Sequence, residues 1–231
     1  MAETPNLQKI VERIVELETK LKLFINRWVP AGIVTADVEE FVKGRIYPNV
    51  KYEDGKLKFR DEDGHYRTVM SGKFRKLAKE IMNRLLKQGF VVVVELKATG
   101  NSVLPIAVIW ELFLNGDIGL IARVNKIDSE NYSEFVTFIE NYGEELSKYI
   151  GKLFVLYDPN EADIQENIKR TIRNLMNTIN SMSSKAPKPF VLIAIQSDVY
   201  NTLSEEIRTE LERYRFDVSL TNIDEEKEEE E

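Results

Sequence analysis

The chain of 231 residues contains no cysteine and a single histidine, His65. The absence of cysteine excludes disulfides, thiolate metal sites and thiol nucleophiles. One histidine argues against both a Ser-His-Asp triad and a multi-histidine metal centre. Because no second histidine exists, we interpret His65 as a turn or strand residue and not as a ligand.

Long hydrophobic runs are also absent. No apolar stretch approaches the roughly 20 residues needed to span a bilayer, and the longest, Val103–Leu114, is interrupted by Pro105 and Glu111. The chain opens on Met-Ala-Glu-Thr-Pro, with no N-terminal signal. With 43% hydrophobic and 31% charged residues it has enough apolar side chains for a sizeable core. These features predict a soluble, cytoplasmic protein with no membrane partner, and the abundance of Lys and Glu is compatible with a thermophilic source.

The most regular pattern lies near the N-terminus. Seven apolar residues follow one another at alternating spacings of three and four, namely Leu7, Ile10, Ile14, Leu17, Leu21, Phe24 and Trp28. This heptad spacing predicts an amphipathic helix, with Thr4-Pro5 at its start and Pro30 after its end. Two interpretations stay open: the helix packs on its own domain, or residues 7–28 pair with a second copy or another protein.

Turn signals separate short alternating segments over residues 45–70. Asp54-Gly55 and Asp63-Gly64 are typical of hairpin turns and predict a small antiparallel β-meander. A short helix is predicted before it over residues 35–43, and a longer helix after it over residues 71–89.

From residue 90 onwards the pattern changes. Apolar runs recur without alternation, at residues 90–94, 118–122, 153–157, 190–195 and 216–220. Such runs are typical of strands buried on both faces of a parallel sheet. Helical patterns lie between them, at residues 103–115, 129–150, 163–183 and 202–213, the last with a capping-box spacing from Thr202 to Glu205. This alternation predicts an α/β fold with a doubly wound, mostly parallel five-stranded sheet.

The helix, strand and charge patterns divide the chain into three regions. We predict an N-terminal helix and β-meander region over residues 1–72, an α/β domain over residues 73–223 and an acidic, disordered tail over residues 224–231. The tail holds seven acids and one lysine, a net charge of −6. Residues 43–87 hold 13 basic and 6 acidic side chains, a net charge of +7, with aromatic residues between them. Two interpretations stay open: the segment contacts nucleic acid, or it is a solvated face typical of lysine-rich proteins.

The loop after the first apolar run is the first candidate site, because ligands of open parallel sheets bind at the carboxyl ends of strands. It reads Glu95-Leu-Lys-Ala-Thr-Gly-Asn-Ser102 and precedes a predicted helix, whose free N–H groups and dipole favour an anion. This segment resembles a degenerate Walker A motif of P-loop NTPases, G-x-x-x-x-G-K-[ST], with Gly100 at the second glycine and Ser102 at the magnesium hydroxyl. Glu95 replaces the first glycine, and Asn101 replaces the phosphate lysine.

The resemblance extends in order and spacing over residues 90–220 and implies an AAA+ or RecA-like core that binds ATP and Mg²⁺. The residues implied to contact the nucleotide are Thr99, Gly100, Asn101, Ser102, Gln196 and Ser197. Ser102 and Asp158 are implied to hold magnesium, Asp158 and Glu161 to act in catalysis, and one of several arginines, such as Arg123, to act across a subunit boundary. Because the Walker lysine is missing, the resemblance implies a divergent nucleotide-binding protein that is weak or inactive as a hydrolase.

Two other functions remain open. Glu95-Leu-Lys97 at the end of an apolar run resembles the half-motif of PD-(D/E)xK nucleases, in which carboxylates bind magnesium and the lysine steadies a water. That family needs an aspartate on the strand paired just before, and the nearest candidates lie more than thirty residues upstream. The third possibility is a non-enzymatic scaffold that assembles through the heptad helix.

Overall fold

The computed structural model describes residues 7–37, 50–53, 56–60, 64–68, 72–95, 103–159, 165–182 and 187–218. The helices are α1 (Leu7–Trp28), α2 (Gly72–Gln88), α3 (Val103–Leu114), α4 (Tyr132–Glu145), α5 (Ser147–Ile150), α6 (Gln165–Ser181), α7 (Ser197–Thr202) and α8 (Glu205–Glu212). The strands are β1 (Ile33–Asp37), β2 (Val50–Glu53), β3 (Lys56–Arg60), β4 (Tyr66–Thr68), β5 (Phe90–Glu95), β6 (Ile118–Val124), β7 (Lys152–Tyr157), β8 (Phe190–Gln196) and β9 (Arg215–Val218). Within these ranges, no helix combines the length and apolar character needed to cross a bilayer.

Six strands form one large sheet in the order β1-β6-β7-β8-β5-β9. β1 runs antiparallel to β6, and the other four neighbouring pairs are parallel. The prediction of an α/β fold with a mostly parallel sheet is therefore confirmed, and each of the five apolar runs contributes a strand. The predicted number of five strands is wrong, because β1 adds an antiparallel edge strand.

β1 occupies a segment with a helix prediction. The sequence predicts a helix over residues 35–43, of which 38–43 lie outside the described part, but the first three residues belong to β1. Residues 33–35 are Ile-Val-Thr, and three consecutive β-branched side chains favour a strand over a helix. The carbonyl of Gly32 accepts a hydrogen bond from the N–H of Asn125 at 2.8 Å, next to the pairing of β1 with β6.

Helices cover both faces of the large sheet. One buried cluster joins α2 and α3 to strand residues such as Val93 and Leu192. A second cluster joins α1, α4, α6, α7 and α8 to strand residues such as Val92 and Ile193. Neighbouring positions fall into different clusters because side chains alternate between the two faces of a strand. Residues 104–109 of α3 are all buried, which explains why this helix is apolar around its whole circumference.

The heptad helix is present as α1, and its C-terminal half packs on α4. Phe24 is buried, and its ring centroid lies 6.0 Å from that of Phe138 and 5.9 Å from that of Tyr142. In the N-terminal half, Val11 and Ile14 are more than half exposed, at 55% and 51%. Among the described residues, the core therefore covers Phe24 near the end of α1 but leaves Val11 and Ile14 near its start exposed.

The predicted meander is confirmed as a three-stranded antiparallel sheet in the order β2-β3-β4. Glu53 pairs with Lys56, so the connection consists of Asp54 and Gly55, which lie outside the described residues. Arg60 pairs with Tyr66 across the second connection. Both turn signals of the sequence therefore stand between paired strands.

The start of α8 differs from the predicted capping box. Ser204 is the N-cap, and its Oγ accepts a hydrogen bond from the N–H of Ile207 at 3.5 Å. Thr202 ends α7 instead, where its hydroxyl donates to the carbonyl of Val199 at 2.7 Å. Two capping residues stand two positions apart in the sequence, and the second one starts the helix.

Candidate functional site at the carboxyl edge of the large sheet

The carboxyl ends of β5 and β8 meet where the chain leaves neighbouring strands toward opposite faces of the sheet. The two strands are parallel, and Glu95 lies opposite Gln196 at their last residues. α3 follows β5 and belongs to one buried cluster, whereas α7 and α8 follow β8 and belong to the other. In open α/β sheets, such a divergence at the carboxyl edge is the usual place of a crevice that binds a ligand.

Four polar side chains lie across this edge on the same face as α3. In strand order they are Arg123 of β6, Asp158 just after β7, Gln196 of β8 and Glu95 of β5. Each follows, by two or four positions, a strand residue that is buried in the cluster beneath α3, namely Ile121, Leu156, Leu192 and Val93. Because side chains alternate along a strand, residues separated by an even number of positions share a face. We call these four residues the polar row.

The polar row contains an ion pair between Arg123 and Asp158. Nη2 of Arg123 lies 3.6 Å from Oδ2 of Asp158, and the two side chains are 22% and 14% exposed. Water and salt therefore screen this pair less than they screen a surface ion pair. Arg123 pairs with Leu156 in the sheet, two positions before Asp158, so a long side chain is needed to span the step. Arg123 thus contacts an acid of its own chain at the candidate site.

Gln196 is the member of the polar row on the central strand β8. Its Oε1 is buried and has no hydrogen-bond partner among the described residues. Tyr157 pairs with Ile193, so Asp158 follows beside Ala194, the smallest side chain on this face of β8. The amide of Gln196 therefore stands next to the least crowded part of the row, where it can donate to or accept from a ligand.

Most of the predicted phosphate loop lies outside the described residues. This applies to Lys97, Thr99, Gly100, Asn101 and Ser102, and also to Glu161. The elements that flank the loop are described, because β5 ends at Glu95 and α3 begins at Val103. Of the predicted site residues, Asp158, Gln196 and Ser197 are described. The sheet brings these three to its carboxyl edge, where Ser197 begins α7 directly after Gln196.

The described residues do not fit a resident magnesium ion. Mg²⁺ takes oxygen ligands in near-octahedral geometry, and the described part of the chain contains no group of three or more His, Cys, Asp or Glu side chains that suits a metal. Asp158, one predicted ligand, lies 3.6 Å from the guanidinium of Arg123, a cation that competes with a metal for the carboxylate. Ser102, the other predicted ligand, lies outside the described residues.

The neighbours of β5 bear on the nuclease alternative. β5 pairs with β8 and β9, and both are parallel to it and later in the chain. Within the described ranges, no strand that precedes β5 pairs with it. Glu95 is buried at 1% exposure, and Lys97 lies outside the described residues. The sheet therefore does not supply the preceding strand on which the nuclease half-motif places its aspartate.

The loop between β6 and α4, at the same edge, is held by its own hydrogen bonds. Nδ2 of Asn131 donates to the carbonyl of Lys126 at 3.1 Å, and Oδ1 of Asn131 accepts from the N–H of Asp128 at 2.9 Å. Oγ1 of Thr171 in α6 accepts from the N–H of Ile127 at 3.1 Å. These hydrogen bonds fix the loop. Because its polar groups already have partners, few of them remain to bind a ligand.

Asp128 carries much of the charge in that loop. The Lys126 ammonium lowers the pKa of Asp128 below its ordinary value, and hydrogen bonds from the backbone N–H groups of Glu130 and Asn131 lower it further. All of these partners are contributed by the loop itself. We therefore assign Asp128 a structural role.

The sequence names Arg123 only as one candidate to act across a subunit boundary, and no motif identifies its pairing with Asp158 of the same chain. In the sequence, the local signal is a charged residue next to the end of an apolar run. A charged side chain that is mostly removed from water needs a partner. The identity of that partner depends on which strand lies beside β6.

No protein-family model matches the chain, and none of the curated proteins compared with it is similar in sequence.

Proposed function

We propose that the chain is a divergent P-loop NTPase-like protein that binds a nucleotide through its phosphates at the carboxyl edge of β5 and β8. In this proposal it is weak or inactive as a hydrolase. The observation that carries it is the polar row, which sets Asp158 and Gln196 on the face of the sheet where α3 follows residues 96–102. The resemblance requires the aspartate of the third parallel strand and the polar residue of the fourth to reach the loop after the first.

The order of the strands supports the proposal. Counted along the chain from β5, the five parallel strands lie in the order 5-1-4-3-2 across the sheet. The fourth strand, β8, therefore lies between the first and the third. A residue at its end therefore adjoins the ends of both β5 and β7. The resemblance assigns a sensor of the terminal phosphate to the fourth strand, and Gln196 is our candidate for it.

Three features favour binding with little or no turnover. Asn101 cannot supply the charge that a lysine gives to the phosphates. Glu95 places a buried side chain where the Walker A motif has its first glycine. Asp158 is engaged by Arg123. Phosphoryl transfer depends on cations that stabilise the developing charge, so we expect any water oriented by Glu161 to react slowly.

A titration of the full chain with a fluorescent ATP analogue tests the proposal. We expect saturable binding that unlabelled ATP displaces, and about fivefold weaker binding for Gln196→Ala, which loses an amide hydrogen bond worth about 1 kcal/mol. The matched control is Asp198→Ala, because this exposed side chain accepts a hydrogen bond only from the N–H of Val199 within α7. Absence of saturable binding to the wild type rejects the proposal. Equal losses in both variants place the ligand elsewhere.

The proposed nucleic-acid contact of residues 43–87 is supported by α2. This helix exposes Lys76, Lys79 and Lys87 on one outer side, and none of them forms an ion pair with an acid among the described residues. Lysines in a row on an exposed face neutralise successive phosphates of a nucleic acid. This surface therefore favours a protein that acts on or with nucleic acid.

A non-enzymatic interaction protein is the second candidate, and α1 favours it. Val11 and Ile14 are exposed near the start of this helix, and a groove of about 370 Å³ lies along its C-terminal half. The groove is lined by Lys20, Leu23, Phe24, Arg27, Trp28, Glu145, Leu146 and Tyr149. Leu23 is 64% exposed and Tyr149 is 53% exposed. Continuous exposed apolar surfaces often mark contacts with other proteins.

A further inference from the structure

We propose that Arg123 takes the place of a magnesium ion beside Asp158, so that the crevice binds the phosphates of a nucleotide in their metal-free form. The inference rests on the proposed function, since it concerns how the same crevice recognises its ligand. The resemblance implies a magnesium ion beside Asp158, whereas the structure places the guanidinium of Arg123 there.

The position of Arg123 makes this exchange possible. Arg123 and Asp158 belong to the polar row, on the face of the sheet where α3 begins. The guanidinium lies 3.6 Å from the carboxylate, and both side chains are mostly buried. The side chain bridges the step between β6 and the end of β7. A fixed positive charge therefore lies beside the carboxylate that the resemblance assigns to magnesium.

The guanidinium makes a metal at Asp158 unfavourable. A divalent cation bound to this carboxylate would lie close to Arg123, and two cations at such a distance repel each other strongly where water is partly excluded. Mg²⁺ also requires near-octahedral oxygen ligands, whereas the guanidinium offers only N–H donors. Magnesium would have to displace Arg123 from Asp158 before it could bind there.

The same guanidinium suits a phosphate. Its planar fork of N–H donors matches two phosphate oxygens, and arginine stays protonated at all physiological pH values. The sequence lacks the lysine that would otherwise supply this charge, because Asn101 stands in its place. A bound phosphate therefore competes with Asp158 for Arg123. Removal of the Asp158 charge should release the guanidinium to the ligand.

The test is a nucleotide titration of the full chain in EDTA and in excess Mg²⁺, with ATP as the probe. We expect the wild type to bind at least as tightly in EDTA as in Mg²⁺. Arg123→Gln should bind about tenfold more weakly in EDTA, since it loses charge-assisted hydrogen bonds. Asp158→Asn should bind several-fold more tightly in EDTA, because it keeps the shape of the side chain and removes the competing charge.

Two further variants keep the result interpretable. Arg173→Gln removes a cation of an exposed pair with Glu206 on α8, outside the polar row, and should leave both affinities unchanged. Arg123→Lys keeps the charge without the planar fork, so it should retain part of the EDTA binding even if Arg123→Gln fails to fold. Thermal unfolding of each variant establishes that the protein titrated is folded.

Each outcome assigns the failure to one of the two proposals. Binding that requires Mg²⁺, is lost in Asp158→Asn and is unchanged in both Arg123 variants overturns this inference and leaves the proposed nucleotide function intact. Absence of ATP binding to the folded wild type under both conditions overturns the proposed function and this inference with it. Metal-free binding that weakens in the order wild type, Arg123→Lys, Arg123→Gln supports both.

Discussion

At Gly119, β6 and α5 lie so close together that only a residue without a side chain fits. A Cβ at this position would lie 1.5 Å from the carbonyl oxygen of Ile150 at the end of α5. The register of β6 against β7 also shifts here, between Ile118 and Leu120. Any larger residue must therefore push α5 away from the sheet.

We expect Gly119→Ala to lower the free energy of unfolding by about 3 kcal/mol, the upper part of the usual range for overpacking. Gly116→Ala is the control, because its φ is 76° but nothing lies within 4 Å of the added Cβ. It should lose only the roughly 1–2 kcal/mol of a left-handed alanine. Urea denaturation measures both. A loss for Gly119→Ala no larger than that of the control would show that the approach of Ile150 does not limit this site.

At the candidate site, the sequence identifies residues that end an apolar run but not the residues they meet. Asp158 and Gln196 follow such runs, and the structure places both at the carboxyl edge. The pairing of Arg123 with Asp158 depends on β6 lying beside β7 with a fixed register. That neighbourhood is a property of the assembled sheet, and no local pattern encodes it. The contacts of the phosphate loop stay a prediction, because residues 96–102 lie outside the described residues.

In the connection between β6 and α4, one carboxylate contributes several of the hydrogen bonds that hold the loop. Asp128 accepts hydrogen bonds from Lys126 and from the backbone N–H groups of Glu130 and Asn131, which lower its pKa. A group with a lower pKa in the folded state contributes stability above its unfolded pKa of about 3.9. That contribution disappears as the pH falls through the lower folded pKa.

We therefore expect Asp128→Asn to lower the melting temperature near neutral pH, and the difference from the wild type to shrink below about pH 4. Thermal unfolding at a series of pH values measures this difference. Asp198→Asn is the control, because its exposed side chain bonds only within α7. A difference between Asp128→Asn and the wild type that does not change between neutral and acidic pH would contradict a role for the charge.

Elements buried on both faces were the easiest to predict. The apolar runs at β5, β7 and β8 leave few alternatives to a central parallel strand, because nearly all of their positions are buried and successive side chains belong to opposite clusters. β1 was missed because it is a short edge strand, and its exposed Val34 and polar Thr35 break the apolar pattern. Its β-branched residues were the available signal. The position of β1 beside β6 depends on the whole sheet.

α1 contributes to both the core and the surface of the protein. Its C-terminal half contributes Phe24 to the cluster that also contains Phe138. Its N-terminal half leaves Val11, Ile14 and Val15 about half exposed. An apolar stripe of this kind is stable in water when a second surface covers it. We propose a second copy of the chain as that surface.

We expect the wild type to associate, and Val11→Glu with Ile14→Glu to shift it to the monomer with little change in the stability of the fold, about 0.5 kcal/mol or less. Light scattering after size-exclusion chromatography measures the mass over a range of concentrations. Phe24→Ala is the contrasting variant, because loss of a buried ring should destabilise the fold by about 3 kcal/mol or more. A monomeric wild type at high concentration would exclude self-association through α1.

Amide hydrogen exchange with and without saturating ATP shows whether a nucleotide binds at the carboxyl edge of the large sheet. We expect slower exchange in segments 95–106, 157–165 and 195–200, which contain or adjoin the polar row. We expect no change in segments 114–118, 150–153 and 187–190, which lie at the opposite edge. Unchanged exchange throughout, or protection confined to the opposite edge or to α1, would contradict binding at the carboxyl edge.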